Sequence, residues 1–554
     1  MTQIRQNPQG SMWWRGAVIY QIYPRSFQDS NGDGIGDLPG ITQRLDHVAA
    51  LGADAIWISP FFKSPMKDFG YDVSDYRDVD PIFGSLADFD ALLARAHQLG
   101  LKVLIDQVLS HTSDQHAWFK ESRASRDNAK ADWYVWADAK DDGTPPNNWL
   151  SVFGGSAWQW DTRRRQYYLH SFLTSQPDLN FHCPLVQDAL LGEVRYWCER
   201  GVDGFRFDAC NHQVHDALLR DNPAAELSDV STVRADNPYA MQQHCYDKSQ
   251  PENLVFLARL RGVLDEFGAA SIGEVGDENA PPLMAQYTEA GKRLHMAYSF
   301  ALLTADGSAA RIQGEVEKLE AELAKTGGWG CWAFSNHDVP RVASRWSADG
   351  VARPAQARML LALLLTLRGS VCLYQGEELG LPEAEVPFER LQDPYGLAFW
   401  PEFKGRDGCR TPLPWVAADG QGGFTTGEPW LPVSATQLPL AVDAQQADPA
   451  AVLHGARALL AWRRAEPLLR EGEIRFLDSG SAVVMMFERT LADPERPTAP
   501  PQRLRLAFNL SDQPVTLALP ADWADAKTQA APIGGADLAS AALSFAPFGV
   551  LVAS

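Results

Sequence analysis

Short apolar runs alternate with amphipathic segments along most of the chain. Each run has the length of one buried strand, and the segments between or after the runs carry apolar residues three or four positions apart, as in a helix packed on a core. The predicted strands are Ala17–Tyr23, Ala55–Pro60, Lys102–Val108, Gly204–Asp208, Ala270–Glu274, His295–Phe300, Cys331–Asn336 and Ser370–Tyr374. The predicted helices are Ile41–Leu51, Leu86–Leu99, Val186–Glu199, Asn253–Phe267, Pro282–Ala290, Gly314–Lys325, Ala357–Leu367 and Val452–Arg464.

Strands and helices in this order predict an α/β fold, namely a closed parallel (β/α)8 or TIM barrel. The alternative is an open doubly wound sheet. That fold usually opens with a glycine-rich phosphate-binding loop, and the sequence has none. A chain of 554 residues is too long for one ordinary core, so we expect two or three domains.

The connections between the predicted elements differ greatly in length. About seventy residues rich in Trp, Asp, Asn and Pro follow the third strand, which predicts a small inserted domain because structureless loops of that size are uncommon. Two further long connections, at about 211–251 and about 375–449, follow the fourth and eighth strands. All three lie at the C-terminal ends of strands, the face on which barrels build active sites.

The pattern changes to a β-like one from about residue 474, where Arg503 to Phe508 alternate polar and apolar residues. We therefore predict four parts: a first part of the barrel at 1–108, an inserted domain at 109–176, a second part of the barrel at 177–470, and a C-terminal antiparallel β-domain at 471–554.

The charge and the cysteines restrict the setting of the protein. A net charge of −21 argues against nucleic acid and anionic membranes as partners, because both attract basic surfaces. Seven cysteines without a Cys-x-x-Cys pair indicate neither a disulfide framework nor a zinc site. With no signal-peptide core at the N-terminus, we expect reduced thiols and a cytoplasmic location, the alternative being a periplasmic form processed from a longer precursor.

Three carboxylates stand at the ends of predicted strands or just beyond them, namely Asp208, Glu274 and Asp338. Burial disfavours the charged form of a carboxylate, so these positions are costly unless something binds the group. Three of them in one domain predict a single acidic pocket. Such a pocket suits cleavage of a glycosidic bond, in which one carboxylate attacks and another donates a proton.

Arg206 and Asp208 lie two positions apart on a predicted strand, so their side chains share one face while Phe205 and Phe207 point into packing. An adjacent guanidinium lowers the pKa of a carboxylate, which is what a nucleophile needs. The alternative is a structural salt bridge at the barrel mouth. A general acid such as a carboxylic acid at position 274 needs a raised pKa instead.

Oxygen donors occupy every second position of one loop near the N-terminus, with glycines for tight turns between them. Side-chain oxygens with one backbone carbonyl in this spacing predict a Ca²⁺ site, the alternative being a solvated acidic turn. The predicted ligands are Asp29, Asn31, Asp33, Asp37 and the carbonyl group of Ile35.

Further polar segments recur at or near the predicted strand ends, namely Asp68–Asp72, Asp106–Thr112, Gln176–Asn180, Tyr374–Glu378 and Gly405–Asp407. With the three acidic segments, and in this order along nearly the whole chain, they resemble glycoside hydrolase family 13, the α-amylase family. The resemblance is strongest to its branch of α-glucosidases and oligo-1,6-glucosidases.

The resemblance implies a role for each candidate residue. Asp208 is the nucleophile with Arg206 as its partner, Glu274 is the acid/base, and Asp338 grips the sugar's 2- and 3-hydroxyls. The remaining implied substrate contacts are Asp68 and Arg406 at the far end of the glucose, with Arg410 as the alternative to Arg406, Tyr71 beneath the ring, Phe153 and Phe172 closing the pocket, His111 and His337 as hydroxyl donors, and Ala209 at the wall of the leaving sugar.

The implied activity is that of a retaining exo-α-glucosidase on maltose-like substrates, with α-1,4 preference and glucosyl transfer to small hydroxyl acceptors. Alternatives are an oligo-1,6-glucosidase, an enzyme that converts trehalose or sucrose, and a non-catalytic transporter-associated relative. The resemblance implies no organic cofactor and a structural Ca²⁺ or Mg²⁺ in the loop from Asp29 to Asp37. Ser110 stands where many relatives have Asn, so we expect no second calcium site.

Overall fold

The structure, a computed structural model, describes residues 12–225, 237–493, 500–539 and 542–554. Within these ranges eight parallel strands form one sheet, and only these strands are numbered here. They are β1 Val18–Ile22, β2 Ala55–Ile58, β3 Lys102–Val108, β4 Gly204–Asp208, β5 Ala270–Val275, β6 Met296–Ser299, β7 Cys331–Trp332 and β8 Ser370–Tyr374.

The strand order β6-β5-β4-β3-β2-β1-β8-β7 is that of a barrel opened between β6 and β7. A parallel bridge between Ala297 and Gly330 brings these edges together, so the ring is nearly closed. The predicted TIM barrel is confirmed. The prediction for β7 was too long, because Ser335 and Asn336 accept hydrogen bonds from the main-chain N–H groups of Val342 and Asp338 and form a turn after the strand.

Helices pack around the barrel at the places that the sequence periodicity predicts. The longer ones in the described ranges are Leu38–Leu51, Leu86–Gln98, Pro184–Arg200, Asn253–Phe267, Ala280–Tyr287, Ala309–Thr326, Pro354–Thr366 and Val452–Ala465. The helix at 309–326 begins five residues before its predicted start, because the Ser308 side chain accepts a hydrogen bond from the Arg311 N–H and caps it.

The register of the strands determines which side chains meet at the barrel mouth. Arg206 on β4 pairs with Asp106 on β3 and with Ile272 on β5. Two residues further along, Asp208 therefore lies beside Glu274. The two predicted catalytic carboxyls are neighbours because of this register.

The long connections contribute the surroundings of that mouth. The one after β3 carries a small antiparallel sheet of Trp136–Ala137, Trp158–Asp161 and Gln166–Leu169. The one after β4 includes residues 226–236, which lie outside the described residues. The one after β8 is mostly irregular and includes the short helices Pro394–Phe399 and Val442–Ala447.

The C-terminal part is antiparallel β-structure, as predicted. One sheet contains Glu473–Leu477, Val484–Leu491, Gln502–Asn509 and Val550–Ala553, and a second contains Val515–Ala518, Ala536–Leu538 and Ala542–Phe545. The simple alternation predicted for Arg503 to Phe508 is wrong at Arg505, which is only 2 % exposed. Its guanidinium is paired with Glu488 at 3.3 Å and Asp525 at 2.7 Å, and this pairing makes its burial tolerable.

None of the helices in the described ranges combines the length and apolar character needed to cross a membrane.

Candidate active site

A single buried arginine at the end of β4 contacts three carboxyl groups. Arg206 Nη1 lies 2.6 Å from Asp208 and 2.9 Å from Asp106, and its Nη2 lies 2.5 Å from Glu274 Oε1. The structure therefore brings the predicted nucleophile and the predicted acid to neighbouring nitrogens of one guanidinium. Asp106 is the third carboxyl group on this guanidinium.

One positive charge shared among three carboxyls does not offset the cost of burying them all. Burial raises the pKa of Asp208 to about 7 and that of Glu274 to about 7, although Arg206 opposes both shifts. Burial likewise raises the pKa of Asp106 to about 6. The raised pKa expected of a general acid is present at Glu274, but the lowered pKa that the sequence predicted for Asp208 is not observed.

Asp338 has the opposite electrostatic environment. Burial opposes its ionisation, but the neighbouring His337, Arg406 and Arg410 outweigh burial and hold its pKa well below the usual range. Asp338 Oδ1 lies 2.9 Å from Arg410 and 3.2 Å from Arg406. Because burial lowers the pKa of His337 to about 3, its ring is neutral near neutral pH and the arginines supply the charge. Asp338 is thus an ionised hydrogen-bond acceptor beside two carboxyls that titrate near neutrality.

A hydrogen-bond chain fixes the aromatic floor of the site. Gln21 Nε2 lies 2.8 Å from His337 Nδ1, and in this amide orientation it donates to that nitrogen. His337 Nε2 then carries the hydrogen and lies 2.6 Å from the Tyr71 hydroxyl, which donates to Asp106 at 3.1 Å. The rings of Tyr71 and His337 are parallel, with centroids 5.3 Å apart. The chain leaves neither ring free to turn.

The far end of the site is closed by an ion pair. Arg406 Nη2 donates to Asp68 Oδ1 at 2.9 Å, and Gln176 Nε2 donates to the other oxygen of Asp68 at 3.1 Å. Asp393 holds the Arg406 guanidinium from behind, with contacts of 2.8 to 3.2 Å. Arg410 instead donates to the carbonyl group of His337, so Arg406 is the arginine that contacts Asp68 in this structure.

Aromatic side chains from the long connections form the walls. Phe172 packs against His111 with ring centroids 5.1 Å apart. Phe153 packs edge-on against Tyr395 at 5.3 Å and lies 5.4 Å from the Arg406 guanidinium carbon. Burial lowers the pKa of His111 to about 4, so it is a neutral hydrogen-bonding group, and Ser110 Oγ lies 2.9 Å from its Nδ1.

These groups surround a cavity of about 200 Å³. Ten of the predicted catalytic and substrate-contacting residues line it, whereas Arg206 and His337 lie fully buried behind the lining. Ala209, one of the ten, has a main-chain φ of +39°, a conformation that residues other than glycine rarely adopt. The lining residues that the sequence interpretation missed are Val152, Gln176, Phe300, Val339 and Tyr395. Of these, Gln176 could have been found, because it opens one of the motif segments.

The predicted metal loop lies outside this cavity. Asp29 accepts hydrogen bonds from the main-chain N–H groups of Asn31, Gly32 and Gly34 and from the Thr425 hydroxyl. Asp37 caps the helix Leu38–Leu51 through the Gly40 N–H and binds Ser30. Over the described ranges, no three acidic, histidine or cysteine side chains converge in a way that could hold a metal ion. The two buried carboxylates, Asp29 and Asp37, are engaged in turn and capping hydrogen bonds.

The barrel, the acid pair and the closed cavity define a glycoside hydrolase of the TIM-barrel type. A family model described as alpha amylase, catalytic domain, matches residues 21–472. The chain therefore belongs to the α-amylase family, glycoside hydrolase family 13, as the sequence motifs indicated.

Individual relatives agree over almost the full length. A "Probable alpha-glucosidase" of Rhizobium meliloti (strain 1021) is 60% identical over 513 residues, which are 92% of this chain and 91% of the relative. An "Oligo-1,6-glucosidase" of Parageobacillus thermoglucosidasius is 36% identical over 540 residues, covering 92% of each chain. The crystal structure of an α-glucosyl transfer enzyme, XgtA, superposes with a TM-score of 0.93 at 59% identity, covering 98% of this chain and 99% of that one.

Proposed function

We propose that the protein is a retaining, exo-acting α-glucosidase that also transfers glucose to small hydroxyl acceptors. One observation carries the proposal: Asp208 and Glu274 contact adjacent nitrogens of Arg206 in a cavity whose far end is closed by the Asp68–Arg406 pair. A closed end favours removal of single terminal units. The relatives named as α-glucosidase and α-glucosyl transfer enzyme support the same substrate class.

The first half of the reaction uses both carboxyls of the pair. Asp208 attacks the anomeric carbon while Glu274 gives its proton to the glycosidic oxygen, so the leaving sugar departs with the bonding electron pair. Burial keeps the pKa of Glu274 near 7, so the proton is available near neutral pH. Asp338, held ionised by its arginines, accepts hydrogen bonds from sugar hydroxyls as positive charge develops on the ring.

In the second half, Glu274 acts as a base. It removes a proton from water or from an acceptor hydroxyl, whose oxygen then attacks the anomeric carbon and frees Asp208. Two inversions at one carbon retain the α-configuration. The balance between hydrolysis and transfer depends on whether water or an acceptor hydroxyl reaches the anomeric carbon first.

The test follows the anomer formed first. With maltose as substrate, NMR should show α-glucose before mutarotation, and Asp208→Asn should reduce kcat by at least about 10⁴-fold with an unchanged circular-dichroism spectrum. Release of β-glucose first would exclude double displacement. Substantial turnover by Asp208→Asn would exclude Asp208 as the nucleophile.

For the loop from Asp29 to Asp37 we propose a structural Ca²⁺ or Mg²⁺ away from the chemistry. The alternation of oxygen donors supports it, and Asp33 keeps one carboxylate oxygen without a hydrogen bond to the described residues. The four hydrogen bonds on Asp29 oppose it, because a cation would have to displace at least one of their donors.

A further inference from the structure

Tyr298 connects the shared arginine to the predicted acid. It lies on β6, pairs in register with Glu274 on β5, and is 1 % exposed. Its hydroxyl group lies 3.0 Å from Arg206 Nη2, 3.3 Å from Arg206 Nε and 3.1 Å from Glu274 Oε1. None of the motif segments includes this residue, and it does not line the cavity.

The direction of the hydroxyl hydrogen follows from its partners. Both guanidinium nitrogens can only donate, so they occupy the two lone pairs of the Tyr298 oxygen. The one hydrogen that remains points to Glu274 Oε1. Tyr298 is thus a donor toward Glu274 and has no lone pair left to accept a proton from it.

The two oxygens of Glu274 consequently differ. Oε1 accepts a hydrogen bond from the Tyr298 hydroxyl at 3.1 Å and lies 2.5 Å from the positively charged Arg206 Nη2. Among the described residues, Oε2 accepts one hydrogen bond, from the main-chain N–H of Ala209 at 2.9 Å. A proton is disfavoured on Oε1, which lies against the guanidinium charge and accepts the phenol hydrogen, and is better placed on Oε2, which faces a neutral N–H.

We propose that Tyr298 is a positioning residue that keeps Oε1 of Glu274 as an acceptor, so that Oε2 is the oxygen that carries the catalytic proton. The inference rests on the proposed acid role of Glu274. In the first half-reaction the Oε2–H proton moves to the glycosidic oxygen, the bond from that oxygen to the anomeric carbon breaks, and Asp208 bonds to the carbon. The negative charge left on Glu274 is then stabilised by Tyr298 at one oxygen and by Ala209 at the other.

The experiment compares Tyr298→Phe with the parent over pH. Losing a donor to the ionised form raises the pKa of the acid, so the alkaline limb of kcat/KM should move up by at least about 0.5 pH unit. With the proton no longer confined to Oε2, kcat/KM on maltose should fall about 10-fold or more, and less on an activated aryl α-glucoside. A role in packing alone would move neither the limb nor this ratio.

A second substitution keeps the phenol hydroxyl and should shift the alkaline limb of kcat/KM in the opposite direction. Fluorotyrosine incorporated at position 298 is a more acidic phenol and a stronger donor, so the alkaline limb should move down. The matched control is Tyr287→Phe, which removes another buried hydroxyl whose hydrogen-bond partner is Asn253, and it should leave the limb in place. If the limb stays in place for both changes at position 298, the proposal is wrong.

Glu274→Gln separates this inference from the function on which it depends. That variant should lose far more activity on maltose than on an aryl glucoside whose leaving group needs no proton. If Glu274→Gln behaves so and Tyr298→Phe matches the parent, only the inference about Tyr298 fails. If Glu274→Gln loses both activities equally, the acid role fails with it.

Discussion

At the scale of single residues, the backbone at the catalytic acids is unusual. Ala209 follows the proposed nucleophile Asp208 with φ +39°, and its N–H donates to Glu274 Oε2 at 2.9 Å. A left-handed residue other than glycine costs free energy, and a β-branched side chain there costs more. Ala209 lines the cavity, so a substitution at this position can change both the cavity wall and the backbone that donates to Glu274.

The predicted linkage preference is tested at the same residue. The parent should favour maltose over isomaltose, and Ala209→Val should erode that ratio by about 1–3 kcal/mol in kcat/KM, because added methyl groups fill the space of the leaving sugar. Ala209→Gly, which accepts positive φ without strain, should keep the maltose preference. A parent that prefers isomaltose contradicts the prediction, and equal erosion in both variants attributes the effect to the backbone.

At the scale of elements, the loop from Asp29 to Asp37 contributes to stability in more than one way. Asp37 caps the first barrel helix and Asp29 closes the loop onto Thr425, so both contribute to stability with or without a cation. Asp33 is exposed, and among the described residues it accepts a hydrogen bond only from the Ile35 N–H. A substitution of Asp33 therefore tests the proposed cation site without removing the hydrogen bonds that Asp29 and Asp37 contribute to the turn.

We expect a chelator to lower the Tm of the parent and to leave the Tm of Asp33→Ala nearly unchanged, since a ligand of the folded state stabilises only while it can bind. Metal content by mass spectrometry should fall in the variant. Asp142→Ala, which removes an exposed turn carboxylate elsewhere, serves as the control. Equal metal content and equal Tm in parent and Asp33→Ala would leave the loop as a turn.

At the scale of the whole molecule, buried arginines connect the C-terminal sheet to the barrel. Arg489, 0 % exposed, donates to the carbonyl groups of Thr366 at 2.6 Å and Gly472 at 2.7 Å. Thr366 is the last residue of a barrel helix, whose terminal carbonyls lack partners within the helix. Burial lowers the pKa of Arg489 to about 9, so it is still charged near neutral pH.

Arg489→Met should lower the Tm by several degrees, because the buried carbonyl groups left without donors cost about 1–3 kcal/mol each. The kcat/KM of the folded variant on maltose should match the parent, since Arg489 is not among the residues that line the cavity. Arg503→Met, on the adjacent strand with a half-exposed side chain, is the control and should change the Tm little. An unchanged Tm in Arg489→Met would show that this contact does not stabilise the protein.

The sequence by itself determined the barrel and the identity of its acids. Strand and helix periods are local properties of the chain. For this reason β3, β4 and β8 begin and end at the predicted residues, and the ends of most other strands differ from the prediction by one or two residues. Carboxylates at the ends of apolar runs are recognisable without coordinates, because burying an unpartnered charge is costly. The motif segments likewise identified most of the residues that line the cavity.

Only the tertiary structure decided how these groups affect one another. Tyr298 and Asp393 contact functional side chains from a strand interior and an irregular connection, where no local pattern distinguishes them. Burial raises the pKa of Asp208, and Arg206 does not offset that cost because it is shared among three carboxyls that are up to 168 residues apart, the span from Asp106 to Glu274. The hydrophobic periodicity of a segment indicates which of its faces is buried. The sharing of one charge and the direction of a hydrogen bond depend instead on residues that are distant in the sequence and become neighbours only in the folded protein.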